Sequence, residues 1–223
     1  MQISLVKNSF YFTYIFLITT GTICFIEAIR NADPKVRHIM NLETCISVVA
    51  GYFYGLFVDK INKAEKDEKT EELPLDEIND NRYTDWGIST PLMLLVLCLV
   101  LGMENKHVVN FWTFMLILLF NFLMLGSGYV GETGLLPKTS ANMIGFVFFT
   151  LMFGTIWNTY MKNKKTVNSQ VIFWLFVVLW AFYGVFYQAD TLTKIFGYNI
   201  LDLLSKAFVG IFFWLYLTKS VKF

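Results

Sequence analysis

Apolar residues in this chain cluster into seven long, almost charge-free runs, with no strand-like alternation of period two. The runs lie at about 8–29, 37–58, 83–103, 108–130, 142–161, 170–189 and 197–218. Each is close to the ~20 residues that a helix needs to cross ~30 Å of hydrocarbon. Backbone groups inside a bilayer must pair within the protein, so these runs predict helices, and the missing alternation argues against an outer-membrane barrel. The expected fold is an all-α, multi-pass integral membrane protein, a bundle of seven transmembrane helices that uses nearly all of residues 1–223 as a single domain. Short connections favour packing of sequential neighbours up and down.

One polar stretch interrupts the pattern. Asp59 to Asn81, with its run of acids and lysines (AEKDEKTEELPLDEIND), reads as a solvated extracellular loop carrying a short hairpin or helical turn. The other connections show a bias in basic residues. Those on the C-terminal side hold Arg30, Lys35, Arg37, Lys106, Lys162, Lys164, Lys165, Lys219 and Lys222, against Lys7, Lys138 and Lys194 on the other. By the positive-inside rule the N-terminus is extracellular and the C-terminus cytoplasmic. The first run lacks the short apolar core and small-residue cleavage site of a signal peptide.

Composition agrees: 56% hydrophobic and 18% aromatic residues exclude an ordinary soluble domain. A formal net charge of +1 gives no footprint for nucleic acid. Cys24, Cys45 and Cys98 all fall in apolar runs, where cysteine behaves as a small hydrophobe, and they suggest neither a disulfide framework nor a metal site.

Lys206 is the one lysine that the pattern places inside an apolar run, where an ammonium group is costly and an ionisable residue marks function by default. Asp202 precedes it by four residues, on the same helix face. A buried lysine can lose its proton and condense with an aldehyde, and the protonated imine then needs a carboxylate beside it. The pair points to a covalent chromophore, with a purely structural ion pair as the bland reading. The other charges in the runs are Glu27, Glu43 and Asp85, with Arg82 at a mouth.

The third run opens Arg82-Tyr83-Thr84-Asp85-Trp86-Gly87-Ile88-Ser89-Thr90-Pro91-Leu92. This string resembles the third-helix motif RY-x-DW-x-x-TTP of the microbial (type 1) rhodopsins. Met124-Leu125-Gly126-Ser127-Gly128-Tyr129-Val130-Gly131 is similar to that family's M-I-G-T-G-x-V-G stretch. Trp180, Tyr183 and Tyr187 match its W-x-x-Y-P-x-x-W box, with Gly184 in place of the proline, and Asp202 to Lys206 matches D-x-x-x-K. The resemblance covers the second to seventh helices, and the first only by its position.

The resemblance implies that Lys206 holds all-trans retinal as a protonated Schiff base. Asp85 would be the counter-ion and proton acceptor, Asp202 a second carboxylate, and Arg82 a member of the release cluster on the outward path. Ser89 and Thr90 would supply hydrogen bonds. The retinal pocket would comprise Tyr83, Trp86, Met124, Ser127, Gly128, Phe149, Trp180, Tyr183 and Tyr187, with Trp86, Trp180 and Tyr183 as flat rings around the polyene. Phe149 stands where relatives often carry tryptophan, and Tyr54 is a further candidate. Most of the 23 phenylalanines are expected to be core or lipid-facing.

The chain departs from the pumping pattern at one place. Positions 85, 89 and 96 are commonly Asp, Thr, then Asp or Glu in that branch, and here they are Asp85, Ser89 and Val96. Asp85 argues against the chloride and sodium pumps, and Val96 cannot donate a proton. Glu43 lies about seven residues, ~10 Å, from the cytoplasmic end of its run, the depth of Val96, and is the expected internal proton donor. A cluster of Asn41, Glu43 and Thr44 supports that reading, and a neutral glutamic acid hydrogen-bonded to a neighbouring helix is the alternative. An acid in the second helix also resembles rhodopsins encoded by large DNA viruses.

The leading expectation is a light-driven outward proton transporter, not an enzyme. A light-gated channel for protons or small ions comes second, on Val96, Glu27, Glu43 and the basic pair Lys35 and Arg37. A photosensor is third, since with nothing after Phe223 it would need a separate transducer. Membrane lipid is the surrounding partner. Related rhodopsins suggest a homo-oligomer, trimer or pentamer, built through the first three helices with Arg37 near a central axis.

Overall fold

The computed structural model describes residues 2–66, 74–162 and 166–218. Lys164, Lys165, Lys219 and Lys222 of the charge bias, and 67–73 of the expected loop, lie outside the described residues. Seven helices are long and apolar enough to cross a membrane. They are α1 (Ile3–Arg30), α2 (Pro34–Lys66), α3 (Leu75–Asn105), α4 (Phe111–Glu132), α5 (Lys138–Met161), α6 (Val167–Tyr187) and α7 (Thr191–Thr218). No strand occurs among the described residues.

Local chemistry explains the helix starts. Pro34 opens α2, where its missing N–H costs nothing. The Asn110 side chain accepts the Thr113 N–H at α4, and Thr166 and Ser169 form a reciprocal capping box at α6. Asp190 caps α7 by accepting the Thr193 N–H at 3.0 Å, and hydrogen bonds from the Thr193 side chain and backbone hold its carboxyl below the usual range.

The loop expected over 59–81 is largely helix. α2 continues to Lys66 and α3 begins at Leu75. Alanine, lysine and glutamate are strong helix formers, and Lys63 pairs with Asp59 one turn back at 2.7 Å. Asp76 and Glu77 sit in the first turn of α3, where the helix dipole favours them, and Glu77 pairs with Lys60 of α2.

The chain divides into two compact units. The first, Met1–Ser89 with Ala189–Phe223, holds α1, α2, the first half of α3, and α7. Its core is built from Phe10, Leu17, Tyr54, Phe57, Ile195 and Ala207, among others. Lipid provides no hydrophobic drive between helices, so close approach and hydrogen bonds must hold them. The Thr13 and Thr20 hydroxyls of α1 donate to the Asn199 and Ala207 carbonyls of α7 at 3.0 and 3.3 Å.

The second unit, Thr90–Gln188, holds the rest of α3 with α4, α5 and α6. Phe153 is its aromatic hub, with Phe149, Trp180 and Phe173 at 4.8, 5.8 and 5.9 Å between ring centroids. Gly184, which stands in place of the family's proline, has no room for a side chain: a Cβ would strike the Phe146 ring, and the Gly184 carbonyl accepts the Asn142 amide at 3.0 Å.

Two segments widen into π-helix, Trp157–Met161 at the end of α5 and Leu203–Phe208 within α7. Such bulges concentrate at functional sites. The second one contains Lys206.

Candidate functional site

Helices α3 and α7 of the first unit bring four charges together out of contact with solvent, and α2 adds the Tyr54 hydroxyl. Lys206 Nζ lies 2.7 Å from Asp85 Oδ2 and 3.3 Å from Asp202 Oδ1, and all three side chains are at most 1% exposed. Arg82 Nη1 donates to Asp202 Oδ2 at 2.9 Å and to the Tyr54 hydroxyl at 3.0 Å, while its Nη2 donates to Asn199 Oδ1 at 2.7 Å. The Tyr54 hydroxyl donates to Asp202 Oδ2 at 2.9 Å, and Trp86 Nε1 reaches Asp202 Oδ1 at 3.3 Å. Two cations and two carboxylates make a formally neutral cluster, the condition under which buried charge is tolerated.

The helix period explains the assembly. Arg82, Asp85 and Ser89 recur at three and four residues and so share one face of α3, as Asn199, Asp202 and Lys206 do on α7. The two carboxylates differ in what surrounds them. Asp202 receives Arg82, Tyr54 and Trp86 besides Lys206. Asp85 Oδ1 and Ser89 Oγ are buried without a partner from the protein.

Two expectations need correction. Arg82 is not at a mouth: it is fully buried, ringed by Phe57, Tyr54, Tyr198 and Phe10 at 5.3–5.9 Å from the guanidinium carbon, because α3 begins about two turns earlier, at Leu75. Lys206 is not the sole lysine inside an apolar helix either. α7 starts at Thr191, so Lys194 lies in its first turn and is 4% exposed.

Glu43 is buried on α2 with its carboxyl against the backbone of Gly210 in α7, where a Cβ would come within 3.1 Å of Oε2. Gly210 is four residues beyond Lys206, about 6 Å along the helix. The expected cluster of Asn41, Glu43 and Thr44 does not form. Successive helix positions point about 100° apart, so Asn41 is exposed and the Thr44 hydroxyl donates to the Met40 carbonyl of its own helix at 2.8 Å.

The remaining sequence candidates fall as follows. In the first unit Tyr83 is half-buried and packs edge-on to Trp86 at 5.3 Å. In the second, Thr90 accepts the Asn121 amide at 2.8 Å, and the Ser127 hydroxyl donates to the Met124 carbonyl at 2.7 Å. The Tyr187 hydroxyl donates to the Gly128 carbonyl at 2.9 Å. Trp180 is buried, while Tyr183 and Phe149 are half-buried. Asn121 and Asn199 are among the buried polar residues that lie outside the motifs. Each is fully buried, and an asparagine inside an apolar run was the available signal.

Comparison with known proteins gives the family and the fold. The family model described as Bacteriorhodopsin-like protein matches residues 5–220. The crystal structure of viral rhodopsin OLPVRII superposes with a TM-score of 0.89 and 46% identity, covering 98% of this chain and 100% of that one. Opsin-1 of Neurospora crassa is 29% identical over 153 residues, 61% of this chain and 48% of its own length. The blue-light absorbing proteorhodopsin of Gamma-proteobacterium Hot 75m4 is 30% identical over 152 residues, 60% of this chain and 59% of its own. The chain thus spans about half to three-fifths of these two relatives.

Proposed function

This chain belongs to the bacteriorhodopsin-like family, and from that premise we propose that it moves protons outward across a membrane when it absorbs light. It is an integral, multi-pass membrane protein of the rhodopsin family, whose members carry retinal on a lysine through a Schiff base. When bound, that group supplies light-driven isomerisation, which changes the environment of the imine N–H.

The residues present fit such a group. Lys206 offers a buried amine beside two carboxylates, the surroundings in which an imine keeps its proton. In this reading Asp85 is the counter-ion and takes the proton. The observation that carries it is the 2.7 Å contact of Asp85 Oδ2 with Lys206 Nζ while Oδ1 has no protein partner. Asp202 is engaged by Arg82 and Tyr54 and acts as the fixed second carboxylate. Glu43 refills the nitrogen from the cytoplasmic side, its carboxyl lying one turn beyond Lys206 on α7. Trp86, Trp180, Tyr183 and the other pocket residues keep the roles that the motifs imply. The termini are oriented by the positive-inside bias, N-terminus outside. The molecule assembles as a trimer or pentamer, which its native mass in mild detergent tests.

Light on proteoliposomes holding the retinal-loaded protein should give a sustained pH change that a protonophore abolishes. A photocurrent that vanishes without an ion gradient and reverses with it would instead establish the channel reading, and no current at all the sensory one. Glu43→Gln should slow recovery of the dark absorption band after a flash by about 10²-fold, the lower range for a lost general acid. Recovery should then depend on bulk pH, be partly restored by azide, and leave the dark spectrum nearly unchanged. Wild-type recovery across pH would remove Glu43 from the pathway.

A further inference from the structure

We propose that Asn199 is the positioning residue that pins Arg82 inward against Asp202, and that α1 acts on the counter-ion cluster through it. The inference rests on the retinal-protein reading, and concerns a residue that none of the motifs includes. Asn199 is fully buried, three residues before Asp202 on the same face of α7. Its Oδ1 accepts Arg82 Nη2 at 2.7 Å, the shortest of the arginine's hydrogen bonds, and its Nδ2 donates to Ser9 Oγ at 2.8 Å.

The orientation of the amide follows from its neighbours. The single Ser9 hydroxyl proton is committed to the Val6 carbonyl at 2.6 Å, so Ser9 Oγ can only accept from Asn199. The NH₂ must therefore face α1, and the amide oxygen must face the guanidinium. Helix α1 thereby sets the polarity of the group that holds Arg82.

An arginine so held is poorly suited to swing outward. Outward motion would leave Asn199 Oδ1 with only the neutral Tyr54 hydroxyl, 3.1 Å away, in place of its charged donor, in surroundings built from Phe10, Phe57 and Tyr198. The ionisable groups around the guanidinium are Tyr54 from α2, Asp85 from α3, and Asp202, Lys206 and Tyr198 from α7. Helix α1 brings Ser9, Thr13 and Phe10 to this neighbourhood. The positive charge of Arg82 opposes protonation of the two carboxylates, so whatever loosens Arg82 should let them take up protons more readily.

A merely structural tie between α1 and α7 is separable from this role. The Thr13 hydroxyl bonds the Asn199 backbone carbonyl, a contact that every side-chain substitution at 199 retains. The test is the pH at which acid red-shifts the dark absorption band of the retinal-loaded protein, compared among wild type, Asn199→Leu, Arg82→Gln and the double variant. Asn199→Leu should move that midpoint up by about one pH unit, a tenfold change, in the direction of Arg82→Gln. The double variant should match Arg82→Gln alone, because Asn199 acts only through the arginine. Ser9→Ala, which frees the amide to turn over, should give a smaller shift of the same sign, and carries the test if Asn199→Leu fails to fold. An unmoved midpoint in both single variants, or additive shifts in the double variant, would overturn the proposal. Absence of a retinal band in the wild-type protein would instead bring down the underlying reading.

Discussion

Lys206→Ala should fold, insert into membranes and remain colourless when retinal is supplied. The substitution removes the amine, and among the described residues no other lysine pairs with Asp85 or Asp202. The other buried lysine of α7, Lys194, is twelve residues away, about 18 Å along the helix, far outside hydrogen-bonding range of Asp85 and Asp202. Loss of one partner from a buried pair typically costs about 3–5 kcal/mol, so the variant should melt at lower temperature than the wild-type apoprotein. A far-ultraviolet spectrum and a monodisperse detergent peak would establish that it is folded, and the visible spectrum would then decide. A normal visible band in Lys206→Ala would end the assignment of the attachment site.

The seven helices were legible because lipid imposes one rule on every segment, a long apolar run, and that rule is local. The ends were less so. Asp59 to Lys66 is as polar as a loop, but its alanine, lysines and glutamate also favour helix, and the helix is accompanied by pairing of Lys63 with Asp59 within α2 and of Lys60 with Glu77 of α3. An apolar run that opens at 83 also puts Arg82 at a mouth. In the structure Leu75 begins the helix and the arginine ends fully buried among four rings.

Motif spacing captured the charged members of the site, since Asp85, Asp202 and Lys206 each follow the helix period. What spacing does not carry is the partner of each group. The π-bulge at Leu203–Phe208 has no pattern of its own in the apolar run around it. Asn199 matters through Ser9 and Arg82, residues that lie 190 and 117 positions away. The polar triplet at 41–44 failed for the opposite reason: adjacency along the chain suggested a cluster, while the helix turns Asn41 and Thr44 away from Glu43.

Asp85→Asn should red-shift the pigment and abolish steady transport. An anion beside the imine nitrogen stabilises the ground state, in which positive charge sits on that nitrogen, more than the excited state, in which charge has moved along the polyene. Asparagine fills the same space without the charge, so the energy gap narrows and absorption moves to longer wavelength. Transport fails for a separate reason: an amide cannot take the proton. A positioned proton acceptor typically contributes 10²–10⁴-fold, so light-driven pH change should fall to about a hundredth or less. Asp202 is a poor substitute, since Arg82, Tyr54 and Trp86 already donate to it, whereas Asp85 Oδ1 has no protein donor. Asp202→Asn should therefore disturb Arg82 and the pocket while leaving a measurable pH change. If Asp85→Asn absorbs and transports as the wild type does and Asp202→Asn loses both properties, the acceptor is Asp202, and the unpartnered oxygen of Asp85 has some other use.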